Sequence, residues 1–480
     1  MARDMKRNRN SSAYFFRLFS LILLFAFSAL SVEARKSHGQ KMHRAQHKKH
    51  TNHKGNVSTP PRTRRSRIPA HAPASPPITE STIFDVLSFG AKGDGICDDS
   101  KAVAAAWEAA CKVPGATMEF PSEFKFLIKP TTLQGPCQPH LTLQIDGLVL
   151  APSKVWSGPK SSLFQWINFK WLQNFTIQGS GIVDGQGSNW WTPSSPFDSM
   201  KDKRPKTFPD MKPTALRFYS SYNVTVRDIK IINSPNCHLK FDNSRGVEVN
   251  NITISAPETS LNTDGIHLQN SQDVEIHHSY IGCGDDCVSI QTGCSNVFVH
   301  HINCGPGHGI SLGGLGKGGT VACVSNIIVD SIFMNNTLYG ARIKTWQGGL
   351  GAVKNVSFSN IQVSDVKVPI MIDQYYCDKH ICKNKTGAVA VSGVKFDKIT
   401  GTYSAQPLHL ACSSSVPCSN VDLSAINLQP SLEFRGLRDA LCWNSYGKSQ
   451  APLVPTSIDY CLLKGGSVLQ KISRSHGKSC

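Results

Sequence analysis

Asn243-Ser-Arg-Gly-Val-Glu-Val-Asn-Asn-Ile-Thr-Ile254 is echoed 27 residues later by Asn270-Ser-Gln-Asp-Val-Glu-Ile-His-His-Ser-Tyr-Ile281. The pattern returns in Gly293-Cys-Ser-Asn-Val-Phe-Val-His-His-Ile302, in Cys323-Val-Ser-Asn-Ile-Ile-Val329 and in Ala352-Val-Lys-Asn-Val-Ser-Phe358. Aligning the copies on Val224, Val247, Val274, Val297, Ile327 and Val356 gives steps of 23, 27, 23, 30 and 29 residues. Each copy holds alternating β-branched residues, then Asn, Gly and Ser of turn type, then another short strand. A period of this length without helices specifies a β-solenoid, in which one coil cannot bury its apolar face until a neighbour stacks on it. Leucine-rich repeats share the period but need leucine-dominated units, and jelly rolls or propellers do not predict so short a unit. The expected fold is all-β, a right-handed parallel β-helix with Val and Ile stacked inward.

The 480 residues are 40 % hydrophobic and 18 % charged, which excludes a disordered chain. The net charge of +18 suggests a nucleic-acid partner until it is located. Residues 1–34 carry five basic and two acidic residues, and residues 35–79 carry eleven basic residues and no acid. The rest, 35 − 31, is only +4, so neither nucleic acid nor membrane is expected as a partner. Arg3, Lys6, Arg7, Arg9 and Arg17 precede the 13-residue apolar run Leu18 to Leu30, and Val32-Glu33-Ala34 follows it. That run is short for a span of about 20 residues and reads as a signal peptide, residues 1–34. Residues 35–79, with six histidines and a Pro-rich end, form a basic linker with nothing to build a core from. It is open to three readings: a tether to a polyanion, a pro-segment cut near Arg62-Thr-Arg-Arg-Ser-Arg67, or a spacer. The ordered domain spans 80–480, opening with a strand at Ile83–Val86. An alanine-rich helix at 101–111, N-capped within Asp98-Asp99-Ser100, closes one end of the solenoid.

Sixteen cysteines, all beyond residue 34, fit an oxidising compartment. Cys377/Cys382 and Cys412/Cys418 read as local bridges, and Cys442, Cys461 and Cys480 as staples of the C-terminal tail. N-glycosylation acceptors begin at Asn56, Asn174, Asn223, Asn251, Asn335, Asn355 and Asn384. Asn223 and Asn251 lie beside strand-like segments, which disfavours their use.

In a solenoid, equivalent positions on neighbouring coils lie roughly 4.8 Å apart. Asp264, Asp286 and His308 are spaced 22 and 22 residues apart, about one coil each, and Asp285 adjoins Asp286. Their offsets from the strand anchors are 17, 12 and 11, so the loop before Asp264 must absorb extra residues. The acids sit among small turn residues in Asn262-Thr-Asp-Gly265 and Gly284-Asp-Asp-Cys287, and the imidazole in Gly305-Pro-Gly-His-Gly309. Arg342 and Lys344 point to one side of a strand. Crowded carboxylates raise at least one pKa, giving an acid beside ionised bases, and that pair is the equipment of glycoside hydrolysis. The cations suit a carboxylate-bearing substrate. Stacked acids could instead bind calcium. His277/His278 and His300/His301 occupy matching repeat positions and read as surface or stacking residues.

These four motifs, in this order across Phe84 to Cys461, resemble those of polygalacturonases, the pectin hydrolases of glycoside hydrolase family 28. The resemblance implies that Asp285 is the general acid and that Asp264 and Asp286 activate water, with inversion. It implies that His308 keeps the acid protonated and that Arg342 and Lys344 bind galacturonate carboxylate. It also implies that Asn262 supports Asp264 and that a tyrosine, Tyr376 or its neighbour Tyr375, contacts substrate. Where the family usually has proline this chain has Leu261, which would loosen the turn that places Asp264. No cofactor or metal is implied. The expectation is a secreted, monomeric hydrolase of α-1,4-galacturonan in the plant cell wall, with pectin as its partner. Exo attack, a rhamnogalacturonan or xylogalacturonan substrate, a calcium-dependent pectate lyase and an inactive pectin-binding wall protein are the alternatives.

Overall fold

The computed structural model describes residues 82–156, 165–191, 211–378, 382, 384–464 and 480. The expected signal peptide, the expected basic linker and the acceptor at Asn56 lie outside them. From Ile83 onward the chain winds as a right-handed parallel β-helix. The repeat anchors are register partners, Val224 with Val247, then Val274, Val297, Ile327 and Val356 in turn. The series continues beyond the repeats legible in the sequence, back to Phe175 and Leu141 and forward to Val394 and Val421. All of these side chains are buried, each contributing roughly 1.5–3 kcal/mol by leaving water. On another face Phe169, Phe218 and Phe241 stack nearly parallel at 4.8 and 5.0 Å between ring centroids.

The helix runs Ser100–Ala110, burying Ala102, Val103, Ala106, Trp107 and Ala110. Trp107 meets Phe169 and Phe175, so the helix covers the first coils. Its expected cap differs in detail. Asp99 occupies the N-cap but makes no side-chain cap bond. Its buried carboxylate accepts instead from the Lys92 and Gly93 amides, while Asp98 takes the Ser100 N–H.

Among the described residues the site-bearing sheet has eleven parallel strands, one per coil, from Thr131–Gln134 through Ile266–Gln269 and Val288–Ile290 to Leu441–Trp443. The opposite corner turns through left-handed residues. Asn174, Asn223, Asp273, Asn296, Asn326 and Asn355 all have φ near +50° to +57°. Their amides form ladders, Asn223 to Asn174 at 2.7 Å and Asn355 to Asn326 to Asn296 at 2.8 and 3.0 Å. Asn251 likewise gives its amide to Asp228, so the acceptors beside strands are engaged in turn bonds.

Cys377–Cys382 and Cys412–Cys418 close short loops as read. Cys442–Cys461 and Cys323–Cys480 anchor the C-terminus, the second reaching back 157 residues. Cys111–Cys137 and Cys287–Cys304 complete the set, leaving Cys97, Cys237, Cys283 and Cys294 as thiols.

Candidate active site

The uneven offsets of the acidic motifs become regular when counted on the site-bearing sheet. Ile266, Val288, Ile310 and Ala341 are successive register partners. Asp264, Asp286, His308 and Tyr339 each stand two residues before one of them, forming a single column on four coils. Residues 256–265 absorb the length before Asp264 that the sequence requires, against only 283–287 on the next coil. Two glycines permit the crowding. A Cβ on Gly284 would collide with the Ser260 carbonyl, and one on Gly309, at φ +76°, with the Tyr339 carbonyl.

A groove of about 770 Å³ opens over this column. Asn262, Asp264, Asp285, Asp286, Lys344 and Tyr376 line it, as expected of substrate-facing groups. His308 and Arg342 are not among its lining residues and reach it through Asp285 and Asp286. Tyr376, not Tyr375, belongs to the groove: its ring lies 5.4 Å from the Lys344 ammonium and edge-on to Trp346. Tyr375 turns away to donate to the Cys412 carbonyl. Lys170, Lys212, Arg217, Lys240, His267 and Gln291 also line the groove and escaped the sequence reading. For Arg217, Lys240 and His267 the signal was the register itself, since they form one row of partners with Ser289, Ser311 and Arg342.

Asp285 is held on every side. His308 Nδ1 lies 2.9 Å from its Oδ1, which also accepts the Asp286 amide, and Asn262 donates to Oδ2 at 3.3 Å. The His308 amide donates 2.7 Å to the Asp285 carbonyl, locking the two loops together. Asn262 therefore touches Asp285 rather than Asp264. Asp286 is buried and accepts from Lys344 at 2.9 Å, Ser311 at 2.8 Å and Arg342 at 3.4 Å. The two cations, themselves 5 % and 6 % exposed, are thus partners of the buried Asp286 carboxylate.

Asp264 accepts from His267 at 3.1 Å. Its carbonyl takes two bonds from His238, the backbone amide at 2.8 Å and Nδ1 at 3.0 Å. His238 Nε2 accepts the Ser234 amide, so its partners fix a neutral imidazole with the proton on Nδ1. Burial lowers its pKa to about 4.

Crowding does raise one carboxyl, but it is Asp264. Burial pushes Asp264 up, and Asp285 and Asp286 add to that against the opposing bond from His267. Burial also pushes Asp285 up, yet the His308 bond and charge, with Lys344 and Arg342, outweigh it and hold the group at about 2. The general-acid role that the resemblance implies for Asp285 therefore needs a proton that its surroundings, His308 first and then Lys344 and Arg342, disfavour.

Leu261 is 57 % exposed and leaves the turn without the stiffness of a proline. Hydroxyl bonds supply it: Thr263 donates to the Ser260 carbonyl at 2.8 Å, and the Gly284 amide donates to Thr263 at 2.9 Å. Lys212 also donates to the Leu261 carbonyl.

The description "Glycosyl hydrolases family 28" matches residues 111–442. A polygalacturonase of Persea americana is 41 % identical over 365 residues, 75 % of this chain and 76 % of that protein. A polygalacturonase of Cryptomeria japonica is 37 % identical over 400 residues, 82 % of this chain and 75 % of the other. Among solved structures, a polygalacturonase of Erwinia carotovora superposes with a TM-score of 0.60 at 25 % identity, covering 74 % of this chain and 94 % of that one.

Proposed function

The chain belongs to glycosyl hydrolases family 28, and from that premise we propose that it is a polygalacturonase acting on the homogalacturonan of pectin. The observation that carries the reading is the column Asp264–Asp286–His308 with Asp285 beside it, set in a groove whose other charged walls are cationic. Lys170, Lys212, Arg217 and Lys240 extend along the coils before Asp264, and Lys344 follows Asp286. Such a groove pairs with a polymer bearing one carboxylate per sugar.

In this reading Asp285 protonates the leaving glycosidic oxygen, and Asp264 and Asp286 activate the attacking water, giving inversion. The bond from His308 is the largest of the causes that hold Asp285 low, and the charges of His308, Lys344 and Arg342 follow it. A substrate carboxylate paired with Lys344 in the groove offsets one of those charges and so favours the protonated acid. Tyr376 forms the groove wall beside Lys344.

The raised pKa of Asp264 favours a second assignment, with Asp264 as the acid and Asp285 among the bases. A galacturonide with an activated aryl leaving group separates the two, because such a substrate needs no general acid. Asp285→Asn should recover turnover on it and Asp264→Asn should not; the reverse pattern exchanges the roles. Proton NMR of the first products should show the inverted anomer, and retention would exclude attack by water. Timed sizing of the products of polygalacturonic acid decides endo from exo attack and checks the substrate against rhamnogalacturonan and xylogalacturonan.

Residues 1–34 are proposed to direct secretion to the wall and 35–79 to link that segment to a monomeric catalytic domain. Elution of the full chain from immobilised pectate at higher salt than a chain starting at Thr79 would support tethering by the linker.

A further inference from the structure

Away from the groove, the two coils that carry Asp285, Asp286 and His308 carry a second cluster. His277 and His300 are register partners on strands Gln272–Gly282 and Ser295–Cys304, and their rings stack at 5.0 Å and 9°. His278 and His301 stack beside them at 4.7 Å and 3°. Within each coil the neighbouring rings meet through Nδ1, His277 with His278 and His300 with His301, both at 2.8 Å. One ring nitrogen from each of His278, His300 and His301 falls within 4.8 Å of the others.

The outer atoms of the pair are anchored. His300 Nε2 lies 2.9 Å from Glu275, and His277 Nε2 lies 3.5 Å from Glu248. An imidazole whose Nε2–H donates to a carboxylate carries its lone pair on Nδ1, where in each pair it accepts the neighbour's Nδ1–H; moving that neighbour's proton to its own Nε2 turns both Nδ1 lone pairs toward one ion. That carboxylate–histidine arrangement is the usual support of a metal ligand. We propose that this quartet, through ring nitrogens of His278, His300 and His301, binds one divalent transition ion of the Zn²⁺ or Cu²⁺ class.

An all-imidazole donor set selects such ions over Ca²⁺ and Mg²⁺, which take oxygen ligands. Tetrahedral Zn–N bonds of about 2.0–2.1 Å need donors roughly 3.4 Å apart, between the spacings observed. The neighbouring coils supply no competing cation: Asn250 and Asn251 precede the quartet, and Asp330 and Ser331 follow it. Asp330 is already occupied by Ser331, Ser359 and Asn360. His278 and His301 stand seven residues before Asp285 and His308, so the ion clips the two coils on which those side chains are mounted.

The test uses the full chain, stripped with a chelator and titrated calorimetrically with ZnCl₂ and then CuCl₂. Its reference is the double variant His278→Asn, His301→Asn. Asparagine suits both sites, since His278 and His301 have φ of +49° and +52° and Asn251 and Asn360 hold the same conformation in that column. The histidines of residues 35–79 are common to both proteins, so the difference between them isolates the quartet. The native chain should bind one equivalent more, and Zn²⁺ should raise its Tm but not that of the variant. Glu275→Gln should weaken that equivalent by about tenfold or more. Equal stoichiometry and equal Tm shifts overturn the proposal. Should the double variant fail to hydrolyse polygalacturonate under chelation, and so be misfolded, Glu275→Gln decides alone: undiminished Zn²⁺ affinity then overturns it.

Discussion

Asn296, Asn326 and Asn355 stack on successive coils, each passing an amide bond to the next. Asp264, Asp286 and His308 stack on successive coils of the same solenoid, and none of the three bonds to another. The first column is built of one residue type whose donor and acceptor satisfy each other at the coil spacing. The second is built of two carboxylates and an imidazole, and each is held from the side: Asp264 by His267, Asp286 by Lys344 and Ser311, His308 by Asp285. A self-satisfied column is structure. A column dependent on lateral support has chemical capacity left over.

Making the second column resemble the first tests this contrast most severely. Asp264→Asn replaces a carboxylate with the ladder amide and should lower kcat on polygalacturonate by about 10²-fold or more, with Tm nearly unchanged. Asp285→Asn should do the same on the natural polymer, where the leaving group needs a proton. A fall in Tm matching the fall in rate would make these acids scaffold residues.

Removing lateral support comes next. Lys344→Ala strands the buried Asp286 carboxylate, and breaking such a pair costs about 3–5 kcal/mol. Tm should therefore fall together with affinity for galacturonan. On the exposed face, Lys395→Ala unpairs Asp397 in solvent and should cost under about 1 kcal/mol. Equal losses in the two variants would remove the distinction between the faces.

A third effect is pH-dependent. His238 is neutral in the fold, with a pKa of about 4 against 6.5 when unfolded. Between those values the unfolded chain holds a proton that the native chain does not, so stability falls as pH drops from 6.5 to 4. The loss reaches about 3 kcal/mol. Denaturant midpoints across that range should show the slope, and His238→Gln should flatten it. The smallest effect belongs to the ladder. Asn326→Gly removes two amide bonds and should cost about 1–2 kcal/mol with kcat unchanged. Glycine is the fitting substituent because Gly246 and Gly393 hold similar conformations, φ +64° and +66°.

The solenoid was legible because stacking repeats its demand every coil. Val247, Val274 and Val297 face the same interior, and a requirement met several times over leaves a period in the sequence. The acids were legible for the same reason, at 22-residue spacing, and the motifs around them carried the family. Arg217, Lys240 and His267 were not legible, because their strand is short and the loops before it vary from coil to coil. Only the register of the folded sheet aligns them with Arg342.

Sequence alone thus determined the coil, its inward face, the acidic column and the chemistry of its residues, since each depends on residue type and periodic spacing. Only the tertiary structure decided which carboxyl carries the raised pKa, that Arg342 and Lys344 are first of all partners of Asp286, that Tyr376 rather than Tyr375 faces the groove, and that four histidines share one corner. Those outcomes depend on distances between side chains on different coils, and electrostatic energy varies with distance and burial, which a linear spacing does not contain.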